Sequence, residues 1–142
     1  MFVAISSDGK RVSIVKFCAL ELDINNRSTL NETEIKLSQV SDTEWISERQ
    51  DAKSWSVATR APGEPFNGGP TEMHLTNFPS SVWCMQGYIE VTGQDGNTCR
   101  LAAGEGIYLD GRALHHSRFG PSREPVTDLT LGFPGTQAYV FK

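Results

Sequence analysis

The sequence has few cysteines, few histidines and few aromatic residues, and it lacks long runs of either charge. Its 13 lysines and arginines stand against 17 aspartates and glutamates, which leaves a formal net charge of −4 over 142 residues. Without a basic patch or a basic amphipathic stretch, the chain has no electrostatic footprint for nucleic acid or an anionic membrane. We therefore predict no nucleic acid and no membrane among its partners.

Long apolar stretches are also missing. No run approaches the length that spans a membrane, and residues 1–16 contain no uninterrupted apolar segment of the signal-peptide kind. The cysteines are odd in number, at Cys18, Cys84 and Cys99. An odd count without a secretion signal favours reduced thiols. We therefore predict a cytoplasmic location, with Cys84 as a packed and inert thiol.

What the sequence does contain is the pattern of short β-strands. From about residue 53, short apolar runs alternate with Gly, Pro, Asn and Asp, which is typical of an antiparallel sandwich or barrel. Asp95-Gly96 between two such runs predicts a hairpin turn. The length suits one domain with a real core. We predict a single all-β domain over residues 1–142, with a barrel core at 53–142.

Residues 1–52 are predicted to form an N-terminal extension. The stretch RVSIVKFCALEL, residues 11–22, reads as one long strand, and a second strand is predicted near Ile35 and Leu37. The extension is expected to pair with the barrel sheet or with a second subunit. Because the strand at 11–22 would otherwise present an open edge, we predict a homodimer.

Two blocks, each with one histidine, resemble the motifs of a known family. The first block is Gly68, His74, Thr76, Ser80 and Gly87, and the second is Gly104, Asp110, Arg112, His115 and Phe119. Their spacing is similar to G-x5-H-x-H-x3-E-x6-G and G-x5-P-x-G-x2-H-x3-N of the cupins. The resemblance implies a cupin-type jelly roll, or double-stranded β-helix barrel, with a pocket inside it. Fold alone does not imply activity.

The resemblance also implies where a metal would bind. The four ligand positions of the family fall on His74, Thr76, Ser80 and His115. The hydroxyls of Thr76 and Ser80 are poor ligands for divalent transition ions, and two histidines are fewer than catalytic zinc or non-haem iron needs. We therefore favour a degenerate ligand set and no metal cofactor.

A divalent ion such as Fe, Mn, Zn or Ni remains the alternative. Glu72 lies two residues before His74, so on a strand it would share the face of His74 and could complete a set with His115. Glu64 and Asp110 are further candidates for the carboxylate. This alternative predicts a metal-dependent cupin, such as an oxygenase with a 2-His-1-carboxylate site.

Without a metal, the two histidines can still perform acid–base chemistry. We predict that His74 and His115 face each other across the pocket and act as the catalytic pair, because imidazole titrates near neutral pH. Such a pair suits an enzyme of the lyase or isomerase class, through dehydration, tautomerisation, epimerisation or cyclisation of a small molecule. A non-catalytic module that binds or senses a small molecule is the other alternative.

Strand alternation predicts which neighbours line the pocket. Counted from His115, Ser117 and Phe119 face inward, whereas His116 faces outward. Arg112 and Arg60 could each bind a carboxylate or phosphate through a forked contact. The predicted substrate-binding residues are Thr76, Ser80, Tyr108, Arg112, Ser117 and Phe119.

Overall fold

The computed structural model shows a chain built from β-strands. It describes residues 2–5, 11–14, 16–35, 37–47, 49–60, 73–76, 78–120 and 123–134, with only the backbone of 2–5 and 11–14. The strands are β1 Phe2–Ile5, β2 Arg11–Ile14, β3 Lys16–Leu22, β4 Ser28–Glu34, β5 Ser38–Ser41, β6 Glu44–Ile46, β7 Ser54–Arg60, β8 Ser80–Gln86, β9 Tyr88–Gly93, β10 Thr98–Ala102, β11 Gly106–Leu109, β12 His115–Phe119 and β13 Val126–Gly132. None of these ranges contains a helix, so none contains one that could cross a membrane.

Two larger sheets and two hairpins hold these strands. The larger sheet has six strands in the order β4-β3-β11-β8-β13-β7, and the smaller has three in the order β10-β9-β12. The pairs β1-β2 and β5-β6 form separate hairpins. Strand β11 runs parallel to β3, whereas the other pairings of the two larger sheets are antiparallel. The predicted all-β class is therefore confirmed.

The β9-β10 hairpin shows why the sequence pattern forms strands. Along β9 every second residue is buried, and β10 follows the same alternation, as expected for strands with one face towards a core. The turn between them contains Asp95 and Gly96, and the φ angle of Gly96 is 80°. This positive φ is costly for most other residues, so glycine is the residue best suited to this position of the turn. The hairpin predicted from Asp95-Gly96 is confirmed.

The main core lies between the two larger sheets. It is built from alternate side chains of both sheets, with members from every strand of the two sheets except β7. Its buried members are Cys18, Leu20, Leu30, Cys84, Ile89, Val91, Cys99, Leu101, Ile107, Leu109, Ala113, Phe119 and Val126. We call this side of each strand the inner face.

A smaller cluster lies on the opposite, outer face of the six-stranded sheet. Phe17 and Tyr108 are both under 5% exposed there, and they pack with Ala19, Phe133 and the half-buried Trp83. The residues next to them in sequence, such as Cys18 and Ile107, belong to the inner core. Alternation therefore assigns Tyr108 to the outside of the barrel.

The N-terminal strands belong partly to the main sheet. β3 pairs with β4 on one side and with β11 on the other, so it is not the open edge that the sequence suggested. The predicted single strand over residues 11–22 is two strands, β2 and β3. Strands do lie near Ile35 and Leu37, as predicted, but they are two: β4 ends directly before Ile35 and β5 begins directly after Leu37.

A disulfide joins the two larger sheets. Cys18 on β3 is bonded to Cys99 on β10, and the two are 81 residues apart in sequence. The prediction of reduced thiols is therefore wrong for these two cysteines. Cys84 is free and buried, which confirms its predicted packing. Burial raises the pKa of the Cys84 thiol, and nearby Asp128 adds to this, so the unreactive thiol form is favoured.

Candidate active site

His74 and His115 are direct neighbours in the structure. They form an isolated antiparallel bridge, in which the amide of His74 donates to the carbonyl of His115 at 2.8 Å and the reverse bond measures 3.1 Å. Their ring centroids are 4.5 Å apart, with the planes inclined by 53°. The expectation that the rings face each other across a cavity is therefore wrong, because directly opposed residues of a bridge project their side chains to the same side.

Strand β12 positions His115 inside the barrel. His115 is 1% exposed and opens the strand opposite Gly93 of β9. His116 is half-buried and follows on the other face. The predicted register of the His-His pair, with His115 inward, is confirmed by this burial.

The environment of His115 keeps its imidazole neutral. Burial lowers the pKa of His115, and the nearby His74 lowers it further, against a hydrogen bond to Ala113 that raises it. That bond joins Nδ1 to the carbonyl oxygen of Ala113 at 3.2 Å. Because a carbonyl can only accept, Nδ1 carries the proton, and the neutral ring keeps its lone pair on Nε2. His115 is thus equipped to accept a proton through Nε2.

The two hydroxyl residues of the first motif lie shortly before β8 and at its start. The hydroxyl of Thr76, a half-buried residue, donates to the carbonyl of Phe78 at 3.0 Å. Ser80 is 1% exposed and begins β8. Ser80 shares the inner face with Val82 and Cys84 by alternation. Ser80 therefore lies inside the barrel, as the strand register predicted.

The inner face of β12 continues from His115 through Ser117 to Phe119. Ser117 is half-buried, and Phe119 is 8% exposed. The guanidinium carbon of Arg60, at the end of β7, lies 3.8 Å from the centre of the Phe119 ring. His115, Ser117 and Phe119 share one side of β12, and Arg60 of β7 reaches that side over the Phe119 ring.

Two predicted substrate-binding residues lie elsewhere. Tyr108 projects to the outer face, where its ring stacks with Phe133 at 6.3 Å between centroids, and burial raises the pKa of Tyr108 to about 12. The guanidinium of Arg112 forms a fork with its near neighbour Asp110, with bonds of 3.2 and 3.0 Å. The Arg112 side chain is 73% exposed. The structure therefore does not bring Tyr108 and Arg112 together with the histidines.

Asp128 is an inner-face residue that the sequence motifs did not single out. It is only 4% exposed on the inner face of β13, and it forms an ion pair with Arg60. Its second oxygen accepts a hydrogen bond from Thr130 at 3.3 Å. The available signal was the alternation of Val126, Asp128 and Thr130, which puts a carboxylate on the face of a buried valine.

The donor set does not fit a metal ion within the described ranges. No group of at least three His, Cys, Asp or Glu residues that could hold one is found there. Thr76 uses its hydroxyl hydrogen on Phe78, and Ser80 is a neutral ligand. Of the predicted carboxylates, Glu72 and Glu64 lie outside the described residues, and Asp110 binds the guanidinium of Arg112. Two imidazoles alone fall short of the usual three protein ligands, so we derive no step through a metal.

Comparison with known proteins finds similarity in structure but not in sequence. No protein-family model matches the chain, and no curated protein matches it. Solved structures do match, among them the cupin domain of Cnp3 from Schizosaccharomyces pombe, with 16% identity, a TM-score of 0.47, and coverage of 87% of this chain and 85% of that one.

Two further structures are a cupin protein from Bacteroides fragilis and the sugar 3,4-ketoisomerase QdtA from Thermoanaerobacterium thermosaccharolyticum in complex with TDP. The first has 16% identity and a TM-score of 0.41, and covers 71% of this chain and 93% of that one. The second has 13% identity and a TM-score of 0.46, and covers 75% and 80%. The all-β architecture that the resemblance implied is confirmed by the two larger sheets of this chain, and these cupin structures are what it is similar to. Similarity at this level carries nothing about activity.

Proposed function

We propose that this chain is an enzyme of the isomerase or lyase class that moves a proton on a small molecule, with His115 as the base and His74 as its partner. The observation that carries the proposal is a neutral, buried imidazole beside a second imidazole, at 4.5 Å between ring centroids. Perturbed titrating groups inside a fold's pocket are typical of acid–base sites. No metal is needed for this chemistry.

The simplest reaction of this kind is a tautomerisation next to a carbonyl group. Nε2 of His115 removes a proton from the carbon, the C–H electron pair becomes the C=C bond of an enol, and the carbonyl oxygen receives a proton from His74. In an α-hydroxy ketone this enol is an enediol: His115 returns its proton to the former carbonyl carbon, the neighbouring hydroxyl oxygen becomes the new carbonyl, and His74 recovers a proton from that hydroxyl. The atoms and electrons balance without an oxidant or reductant.

The placement of the two rings narrows the reaction type. Because His74 and His115 lie on paired segments and project to the same side, they reach one face of a bound molecule. Proton removal and return on one face suits tautomerisation, or elimination of water from that face. Epimerisation by two bases is disfavoured, since it needs a proton donor on the opposite face.

The metal-dependent alternative is favoured by one specific contact. The Nδ1 bond of His115 to the Ala113 carbonyl, at 3.2 Å, is the arrangement that often orients a metal-binding histidine. In this second candidate function, Glu72 would supply the carboxylate. A chelator would abolish the metal-dependent reaction and leave the metal-free one unchanged.

The test follows exchange of carbon-bound hydrogen. Small ketones, keto acids and ketoses are incubated with the protein in D₂O, and deuterium incorporation beside the carbonyl is measured by NMR, with and without EDTA. Wild type is compared with His115→Gln, His74→Gln and the matched control His116→Gln. We expect exchange by wild type and by His116→Gln, unaffected by EDTA, and a loss of about 10²- to 10⁴-fold in the other two variants.

Each other outcome counts against the proposal. Exchange abolished by EDTA and restored by iron or manganese would support the metal-dependent enzyme. Full exchange in His115→Gln and His74→Gln would remove both residues from the mechanism. Absence of exchange across the panel, together with saturable binding of a panel member, would support a binding or sensing module.

The proposed partner is therefore a small molecule, and the net charge of −4 gives no support to nucleic acid or membrane binding. The cytoplasmic location stays a prediction, and the Cys18–Cys99 disulfide weighs against it, because disulfides persist mainly in oxidising compartments. Alkylation of thiols at the moment of cell lysis, followed by mass spectrometry, tests this. Alkylation of both Cys18 and Cys99 would support a cytoplasmic location. Alkylation of neither residue would count against that location.

A further inference from the structure

We propose that Arg60 is the anion-binding residue of the barrel, and that the natural ligand carries a carboxylate or phosphate group. The inference rests on the proposed function only in placing ligand and histidines in the same barrel. Arg60 ends β7 directly opposite Val126 of β13, and Val126 is fully buried in the inner core. Because opposed residues share a face of the sheet, Arg60 projects towards the inside of the barrel.

Two contacts hold the guanidinium of Arg60 in place. Its Nη1 donates to Oδ2 of Asp128, and its plane lies over the Phe119 ring at 3.8 Å. Asp128 is itself fixed by the hydroxyl of Thr130 at 3.3 Å. An arginine held by a carboxylate and an aromatic ring has already lost most of its side-chain freedom, so binding a ligand costs it little further entropy.

The arrangement leaves part of the guanidinium available. Arginine has five N–H donors, and within the described residues only Nη1 of Arg60 has a hydrogen-bond partner. The side chain keeps 24% of its exposure, whereas that of Asp128 keeps 6%. Buried Asp128 thus binds one nitrogen of the Arg60 guanidinium, and the other N–H donors stay partly exposed. The remaining edge has the geometry that binds carboxylate or phosphate oxygens in pairs.

The distance along β12 limits the size of the ligand. Phe119, under the guanidinium, is four residues from His115 on the same face of the strand. At ~3.3 Å per residue, this separation is about 13 Å along the strand, with Ser117 between them. A molecule that contacts both ends would therefore be elongated, longer than a single sugar ring, with its acidic group at one end and its reacting carbon at the other.

A purely structural role for the Arg60–Asp128 pair makes a different prediction. A structural pair only neutralises the buried acid, so wild type, in which Asp128 keeps its charge, would bind no anion at Arg60. For an anion site, Asp128 competes electrostatically with the incoming ligand while it positions Arg60. Asp128→Asn, which keeps an oxygen acceptor for Arg60, is therefore expected to bind anions several-fold more tightly.

The experiment titrates the protein separately with inorganic phosphate and with acetate, and follows the Nε–Hε signal of Arg60 by NMR. Variants are Arg60→Gln, Asp128→Asn and the double variant Arg60→Gln/Asp128→Asn, which leaves no unpaired buried charge if Arg60→Gln alone fails to fold. Arg100→Gln is the matched control, because Arg100 also lies over a ring, that of Tyr88, at 3.7 Å, but on an exposed position of β10.

We expect saturable shifts at Arg60 in wild type, and affinity at least about tenfold weaker without the guanidinium, since a charge-assisted hydrogen bond contributes about that factor. Arg100→Gln should bind as wild type does. If the Arg60 signal shifts with only phosphate or only acetate, that anion identifies the acidic group of the natural ligand. Equal affinity in the double variant, or no tightening in Asp128→Asn, would overturn the proposal. His115→Gln should keep anion binding, so failure of the proton-transfer proposal would be recognised separately.

Discussion

At the scale of single residues, the titration of His115 is the property most open to measurement. Its pKa is lowered in the folded protein, so below pH ~6.5 the unfolded chain binds a proton that the folded chain resists. The stability that His115 provides is therefore complete above the unfolded pKa, and it is lost as pH falls towards the folded pKa. Because His115 then stays neutral in mild acid, the rate of the proposed proton transfer should also be maintained at that pH.

The experiment measures unfolding by urea as a function of pH in wild type, in His115→Gln and in the control His116→Gln. Between neutral pH and mild acid, wild type and His116→Gln should lose free energy of unfolding, and His115→Gln should lose less of it. The imidazole C–H signals, followed by NMR, should show His115 titrating below its ordinary value. An ordinary or raised pKa for His115 would contradict the neutral-base assignment.

Gly111 provides a second prediction at this scale. A Cβ built on Gly111 would lie 2.5 Å from the amide nitrogen of Phe78, which is backbone and cannot rotate away. Gly111→Ala should therefore displace the segment that leads into β8, and should cost about 1–3 kcal/mol of stability. Arg112→Ala is the control, because that neighbouring side chain is largely exposed and its ion pair is worth at most about 1 kcal/mol. Equal unfolding midpoints for the two variants would disprove the close packing.

At the scale of strands, the disulfide is a covalent bond between the six-stranded and the three-stranded sheet. Cys18 and Cys99 close a loop of 81 residues, and cross-links of this kind typically stabilise by about 2–4 kcal/mol. Reduction should lower the free energy of unfolding by this amount, as measured in urea with and without dithiothreitol. The double variant Cys18→Ala/Cys99→Ala should be insensitive to the reductant. Free thiols at all three cysteines of the oxidised protein would refute the pairing.

Local patterns predicted those elements whose strands alternate clearly. The β9-β10 hairpin and the inward orientation of His115 follow from alternation and from one turn. β4 was not predictable, because its sequence STLNETE is polar and its strand form depends on pairing with β3. Tyr108 was misplaced because the motif resemblance gave its position along the chain but not its face.

Long-range partners were beyond what the sequence pattern could reveal. The Arg60–Asp128 pair joins residues 68 apart, and the Cys18–Cys99 disulfide joins residues 81 apart. Each contact exists only once the sheets have assembled. The side-by-side placement of His74 and His115 depends in the same way on the pairing of two segments, which no single-strand periodicity encodes.

At the scale of the whole molecule, the homodimer stays a prediction, but its expected location changes. β3 is paired on both sides, whereas β7 pairs with β13 and has no second partner among the described strands. The outer face beside it shows Trp55 at 73%, Val57 at 53% and Met85 at 54% exposure. An unpaired edge next to exposed apolar side chains favours association with a second copy.

We therefore expect light scattering to give the mass of a dimer at micromolar concentration, and Val57→Asp to give that of a monomer. A carboxylate at this site would be buried without a partner on each side of a symmetric interface, which is costly. Ile24→Asp is the matched control, because Ile24 is 98% exposed in the turn after β3 and should leave the mass unchanged. A monomeric wild type would disprove the association, and a dimeric Val57→Asp would locate it away from β7.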